Sequence, residues 1–160
     1  STKASNYRLI ALLDLEARAY ARVLLAHLEA WADKENIIPF FQSGFRAGAS
    51  TTDNIIALSY LRQQALKISQ PPLYFCFIDY SAAFDRVDRP TLWRKLKSWE
   101  IPPSLLNAII SLHSGTWVRV KTSNSTVTSK IETNNGLKQG CILALLLFNF
   151  YTADQILVKP

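Results

Sequence analysis

The hydrophobic and polar positions fall into alternating blocks. Leu15, Tyr20, Val23, Leu24, Leu28 and Trp31 recur at helical spacing behind Asp14, which predicts a helix capped by Asp14 and running to about Ala32. His27 falls on the same face, without a second ligand one turn on, and reads as a packed side chain. A loop with two glycines follows, Pro39 to Gly48. Ser50-Thr51-Thr52-Asp53 then reads as a capping box, opening a helix whose apolar stripe is Ile55, Leu58, Leu61, Ala65 and Ile68. Pro71-Pro72 precedes six unbroken apolar residues, Leu73 to Ile78, which predict a strand buried on both faces and ending at Asp79. Beyond Asp88, Leu92, Trp93, Leu96 and Trp99 mark the buried side of a third helix, with Arg89, Arg94, Lys95 and Lys97 on the other side, read as a solvated face in preference to a nucleic-acid track. Ile101-Pro102-Pro103 stops it, and Ser104 to His113 makes a fourth. Trp117 to Lys121 alternates and Thr126 to Thr133 is rich in β-branched residues, the pattern of a hairpin. After a turn at Asn134-Asn135-Gly136, Leu143 to Tyr151 is an almost wholly apolar helix that needs burial against a sheet.

Composition narrows the picture. At 160 residues the chain suits one domain with a real core, and no apolar run is long enough to span a membrane; no signal-peptide pattern opens it. Cys76 and Cys141 match no metal spacing and read as buried free thiols in a reducing compartment. The net charge of +6 permits a phosphate-rich partner without establishing one.

Three side chains stand out as candidate chemistry. Asp79 ends a strand and is too costly to bury unpaired, so it must reach water, a cation or a metal; read alone, it also fits a turn acid capping the next segment. Arg46 sits on a Gly-rich loop before a helix N-terminus, where amides, helix dipole and guanidinium all favour an anion; a solvated surface arginine fits equally. Gln139 lies in a glycine-bounded turn, and taken singly is a turn residue bonding to backbone.

Together the words around these residues resemble one family. Phe77-x-Asp79-x-x-x-Ala83-Phe84-Asp85 resembles the first catalytic motif of reverse transcriptases, in the form used by non-LTR (LINE-type) retrotransposons and group II intron enzymes. Gln42-Ser43-Gly44-Phe45-Arg46-x-Gly48-x-Ser50-Thr51-Thr52 resembles the fingers block that precedes it. Gly136-x-x-Gln139-Gly140-Cys141, followed by Leu146-Leu147-Phe148-Asn149, resembles the next motif. The chain departs from the family at Ile142 and Leu145, where proline is usual, at Ala144, where serine is usual, and at Leu9, again a proline position.

The resemblance implies an α+β fold: fingers over about residues 1–70 and an incomplete palm over about 71–160, with helices packed on a small mixed or antiparallel sheet. It implies RNA-directed DNA polymerisation by a two-metal mechanism, with two Mg²⁺ ions about 3.5–4 Å apart. Asp79 is then the catalytic and metal-binding carboxylate. Arg46, Tyr80, Phe84, Gln139 and Gly140 bind the nucleotide, with Phe84 as the wall against a ribose 2′-hydroxyl; Asp85 reads as a structural acid. The implied partners are an RNA template, a DNA primer and a dNTP, in the nucleus or cytoplasm and not at a membrane.

The family takes its remaining carboxylates from an Ala-Asp-Asp-type turn on a later hairpin, and this sequence reaches Pro160 before one; Thr152-Ala153-Asp154-Gln155 is not that motif. These residues alone are therefore expected not to polymerise DNA. A catalytically silent module that binds RNA or DNA, or a protein-interaction module, is the alternative. The unfinished sheet edge and the apolar Leu143–Tyr151 helix would be covered by the remainder of a polymerase or by self-association.

Overall fold

The computed structural model describes residues 11, 13–67, 73–119 and 127–154. Five helices and one short ribbon occupy them: α1 (Leu15–Lys34), α2 (Thr51–Lys67), α3 (Arg89–Ser98), α4 (Pro103–His113), β1 (Trp117–Val118), β2 (Ile131–Glu132) and α5 (Leu143–Thr152).

Asp14 caps α1 as its sequence predicts, accepting from the Ala17 amide at 2.8 Å, while Glu16 and Lys34 complement the dipole at its two ends. The face that α1 buries is Ala21, Leu24, Leu25, Leu28, Trp31 and Ala32. Leu15, Tyr20, Val23 and His27 are exposed, so the predicted stripe is rotated by part of a turn. At the start of α2 the capping box forms in full. The Ser50 amide and hydroxyl donate to Asp53 Oδ2 (2.9 and 3.1 Å), and the Asp53 amide donates back to Ser50 Oγ at 3.3 Å.

The core lies where α5 packs against α1 and α3, with α4 against both of those helices. α5 is apolar on every side and buries Leu143, Ala144, Leu146, Leu147 and Phe150. It finds this burial among helices, and not on the predicted sheet. Phe150 is fully buried, edge-on to Trp31 (5.8 Å) and Trp99 (6.2 Å). The sheet among the described residues is the antiparallel β1–β2 pair, in register Trp117↔Glu132 and Val118↔Ile131. The predicted hairpin is thus present at its base; residues 120–126 lie outside the description.

Three expectations are corrected. Residues 73–78 form no strand and are not buried: Tyr74, Phe77 and Ile78 are 86%, 82% and 76% exposed. An apolar run demands burial but does not supply a partner, and among the described residues no strand offers this one a hydrogen-bond ladder. Cys76 is exposed with it, whereas Cys141 is buried as expected. The α2 stripe is also exposed at Ile55, Leu58 and Leu61, because among the described elements none packs on α2; Ile68 lies outside the described residues.

The third correction concerns charge. Arg89, expected on a solvated face, is buried at the N-terminus of α3. Its Nε donates to Gly136 O (2.6 Å). One terminal nitrogen donates to His113 O (2.8 Å), Thr133 O (3.0 Å) and Thr116 Oγ1 (3.2 Å). Desolvation lowers its pKa from the ordinary arginine value. A planar fork ties three carbonyls together; Thr116 Oγ1 also donates to those of His113 and Thr133, whereas Gly136 O depends on Arg89 among the described residues. Lys95 likewise leaves the solvated face. Its ammonium caps α5 through Tyr151 O (2.6 Å) and pairs with Asp154.

His113 ends α4, buried against the Trp93 ring. Its Nδ1 lies 2.9 Å from Ile109 O and so carries the proton; Nε2 has no protein partner. Burial is the main cause that pushes its pKa down from 6.5 to about 4, with the Arg89 and Lys138 charges adding to it. The unfolded chain then binds a proton that the folded chain refuses between these values. This contribution is intact above pH 6.5 and is lost as pH falls toward 4, by about 3 kcal/mol. Urea midpoints measured from pH 7 to pH 4 should fall accordingly, and His113→Gln should flatten that part of the profile.

Candidate nucleotide cleft

Two chain-distant turns meet above α5. The first follows Asp79: residues 81–86 form tight turns, with Ala82 at φ +52° and the Arg86 amide donating to Ala82 O at 3.1 Å. The second is the segment Gly136–Cys141. The Gly136 amide donates to Val87 O and the Leu137 amide to Phe84 O, both at 2.8 Å. Gly136 has φ +80°, and a Cβ there would meet Asp85 O at 2.8 Å, so only glycine allows the turns to approach this closely. Arg89 holds the Gly136 carbonyl through its Nε.

The result is a cleft of about 570 Å³. Tyr80, Phe84, Gln139 and Gly140, four of the predicted nucleotide-binding residues, line it together with Phe45, Asp85 and Cys141. Gln139 is oriented by its amide nitrogen, which donates to Asp85 Oδ1 at 3.0 Å. Phe84 is wedged between Phe148 (centroids 4.8 Å apart) and Phe45 (6.0 Å), which fixes its ring as a wall. Tyr80 meets Phe148 edge-on at 6.5 Å.

Two predicted residues stand elsewhere. Asp79 is exposed and lines an adjoining depression of about 430 Å³ with Arg86, Tyr151 and Thr152; Tyr80 and Ala83 border both spaces. Arg46 is exposed outside the cleft lining, its guanidinium donating to Pro39 O at 3.0 Å. The Pro39–Gly48 loop presents Phe45 to the cleft instead, at φ +56°.

Sequence reasoning missed what anchors that loop. Asn149, fully buried in α5, donates to Gly44 O (2.9 Å) and accepts from Gln42 Nε2 (3.1 Å). The signal was present: an amide inside a helix apolar all round must find partners. Lys138, beside Gln139, is also partly buried. Its ammonium donates to Leu112 O at 3.0 Å, and burial is the main cause lowering its pKa.

Magnesium does not fit the described residues by themselves. They contain no cluster of three or more His, Cys, Asp or Glu side chains able to hold a metal, and Asp79 is the carboxylate of the adjoining depression, apart from Asp85 in the cleft. One carboxylate does not assemble a close pair of Mg²⁺ ions.

The family model for reverse transcriptase (RNA-dependent DNA polymerase) matches residues 1–157. The chain belongs to the reverse transcriptase family. It is 30% identical over 149 residues to the RNA-directed DNA polymerase from mobile element jockey of Drosophila funebris, covering 93% of this chain and 16% of that protein. It is 30% identical over 152 residues to the probable RNA-directed DNA polymerase from transposon BS of Drosophila melanogaster, with 93% and 16% covered. The corresponding protein from transposon X-element is 28% identical, with 94% and 16% covered. The chain therefore spans about a sixth of these relatives' length. No solved structure matches it significantly. The non-LTR reverse transcriptase resemblance carried by the three motifs is borne out. Among the described residues no helix is long and apolar enough to cross a membrane.

Proposed function

We propose that this reverse transcriptase chain forms the nucleotide-selecting part of an RNA-directed DNA polymerase, its cleft taking an incoming dNTP over an RNA template and DNA primer. One observation carries the reading: Tyr80, Phe84, Gln139 and Gly140, drawn from two motifs far apart in sequence, line one cleft. The fixed Phe84 ring is suited to stand against a ribose 2′ position, excluding a hydroxyl there. Gln139, oriented by Asp85, presents a polar amide to base or sugar.

Asp79 is assigned as one carboxylate for Mg²⁺, from the depression beside the cleft; the metal pair needs further acidic ligands. Arg46 is assigned to the triphosphate, which requires its guanidinium to leave Pro39 O. The apolar side chains left exposed on α2 and on residues 73–78 are surface for the remainder of a polymerase to cover. The place of action is the nucleus or the cytoplasm.

The test is equilibrium titration of the chain with dTTP. Gln139→Ala should weaken binding by about 1 kcal/mol, roughly fivefold, for one lost neutral hydrogen bond. Equal affinity in the variant, or no saturable binding by the wild type, overturns the assignment. In primer extension on an RNA template, the 160 residues alone should give no product.

A further inference from the structure

We propose that the β1–β2 hairpin is a second contact for single-stranded nucleic acid, built around Trp117 and separate from the nucleotide cleft. The inference rests on the polymerase reading for its choice of partner.

The strand pleat puts alternate residues on one face, so the register places Trp117 and Arg119 of one arm beside Lys130 and Glu132 of the other. The Trp117 ring is half exposed, with the Lys130 ammonium 4.4 Å and the Arg119 guanidinium 5.4 Å from its centroid. The other three tryptophans differ. Trp31 is buried, and Trp93 and Trp99 are partly buried against His113 and Phe150. Trp117 has cations for company where they have aromatic rings. Glu132 is the carboxylate on this face, yet among the described residues neither Arg119 nor Lys130 forms an ion pair. Both positive charges are therefore available to an outside anion.

The base of the hairpin is held rigidly. The Thr133 amide donates to Thr116 O (2.8 Å), Thr116 Oγ1 donates to Thr133 O (3.0 Å), and buried Arg89 grips both residues. An exposed indole on a fixed base, with two exchangeable cations over its ring, suits a polynucleotide. A base stacks on the ring, and the displaced lysine or arginine turns to the flanking phosphates. A protein partner is disfavoured because the face that carries Trp117 joins one ring to two cations, while the exposed apolar side chains Val127 and Ile131 fall at the alternate positions of that arm. The chain's net charge of +6 favours a polyanion.

The experiment is fluorescence anisotropy of a labelled oligouridine of about 12 nucleotides, a length within single-strand site sizes, titrated with the full chain at several NaCl concentrations. Trp117→Ala should weaken binding roughly tenfold, the loss of one stacked base, while Trp117→Phe keeps a ring and stays near wild type. The double variant Arg119→Gln, Lys130→Gln should reduce the slope of log affinity against log salt by about 1.4, for two lost phosphate contacts. Equal RNA affinity in Trp117→Ala, or an unchanged slope in the double variant, overturns the proposal. So does a wild type that ignores RNA but self-associates through Trp117, which would mark a protein interface. None of these outcomes bears on the cleft, whose dTTP binding is measured separately.

Discussion

Arg89→Ala is expected to destabilise the fold by about 3 kcal/mol, through lost hydrogen bonds to a charged group, a large share of a small domain's stability. The substitution removes the donor shared by Gly136 O, His113 O and Thr133 O and leaves these carbonyls in a site where Arg89 itself is buried. Arg89→Lys should recover only part of the loss, because an ammonium is a point donor and cannot reproduce a planar fork. Urea denaturation of the three proteins checks this, and equal midpoints for wild type and Arg89→Ala would refute it. The loss should also reach the cleft, since Arg89 steadies the Gly136 end of the turn that carries Gln139. Any Arg89→Ala protein that remains folded should bind dTTP more weakly than wild type.

Phe150→Ala is expected to cost about 3–5 kcal/mol. Phe150 is fully buried where α5 meets α1 and α3, so its truncation opens a cavity between three helices and removes two edge-on ring contacts. Phe150→Leu keeps most of the volume and should cost considerably less. Thermal unfolding gives the magnitude, and tryptophan emission gives the location. Trp31 and Trp99 both touch Phe150, so the alanine variant should emit at longer wavelength while still folded. An unshifted spectrum with an unchanged melting temperature would show that this ring is not central to the core.

What the sequence made legible was local. The cap at Asp14, the Ser50–Asp53 box, the third helix beyond Asp88 and the hairpin base all follow from rules that operate within a few residues. What it hid was decided at a distance. Arg89 looks like its solvated neighbours Arg94 and Lys97, because nothing nearby in sequence says that three carbonyls from residues 113, 133 and 136 will converge on it. Residues 73–78 declare a need for burial but not what would meet it. Such a run is equally apolar whether or not a neighbouring strand is present.

The cleft shows the same division. Motif wording led to Tyr80, Phe84, Gln139 and Gly140, and these line one space. It could not set the posture of the Pro39–Gly48 loop. Gln42 and Asn149 tie that loop down so that Phe45 enters the cleft while Arg46 stays on Pro39 O. Nor could it place Asp79, which stands beyond Tyr80 on the neighbouring depression.

The assignment of the cleft is tested most directly by photo-crosslinking the chain with a photoreactive dATP analogue and mapping the labelled peptides by mass spectrometry. The expected label falls within Tyr80–Asp85 and Gln139–Leu145 and is competed away by unlabelled dATP. Label confined to other segments, or label that unlabelled dATP does not displace, contradicts a deoxynucleotide site between these two turns.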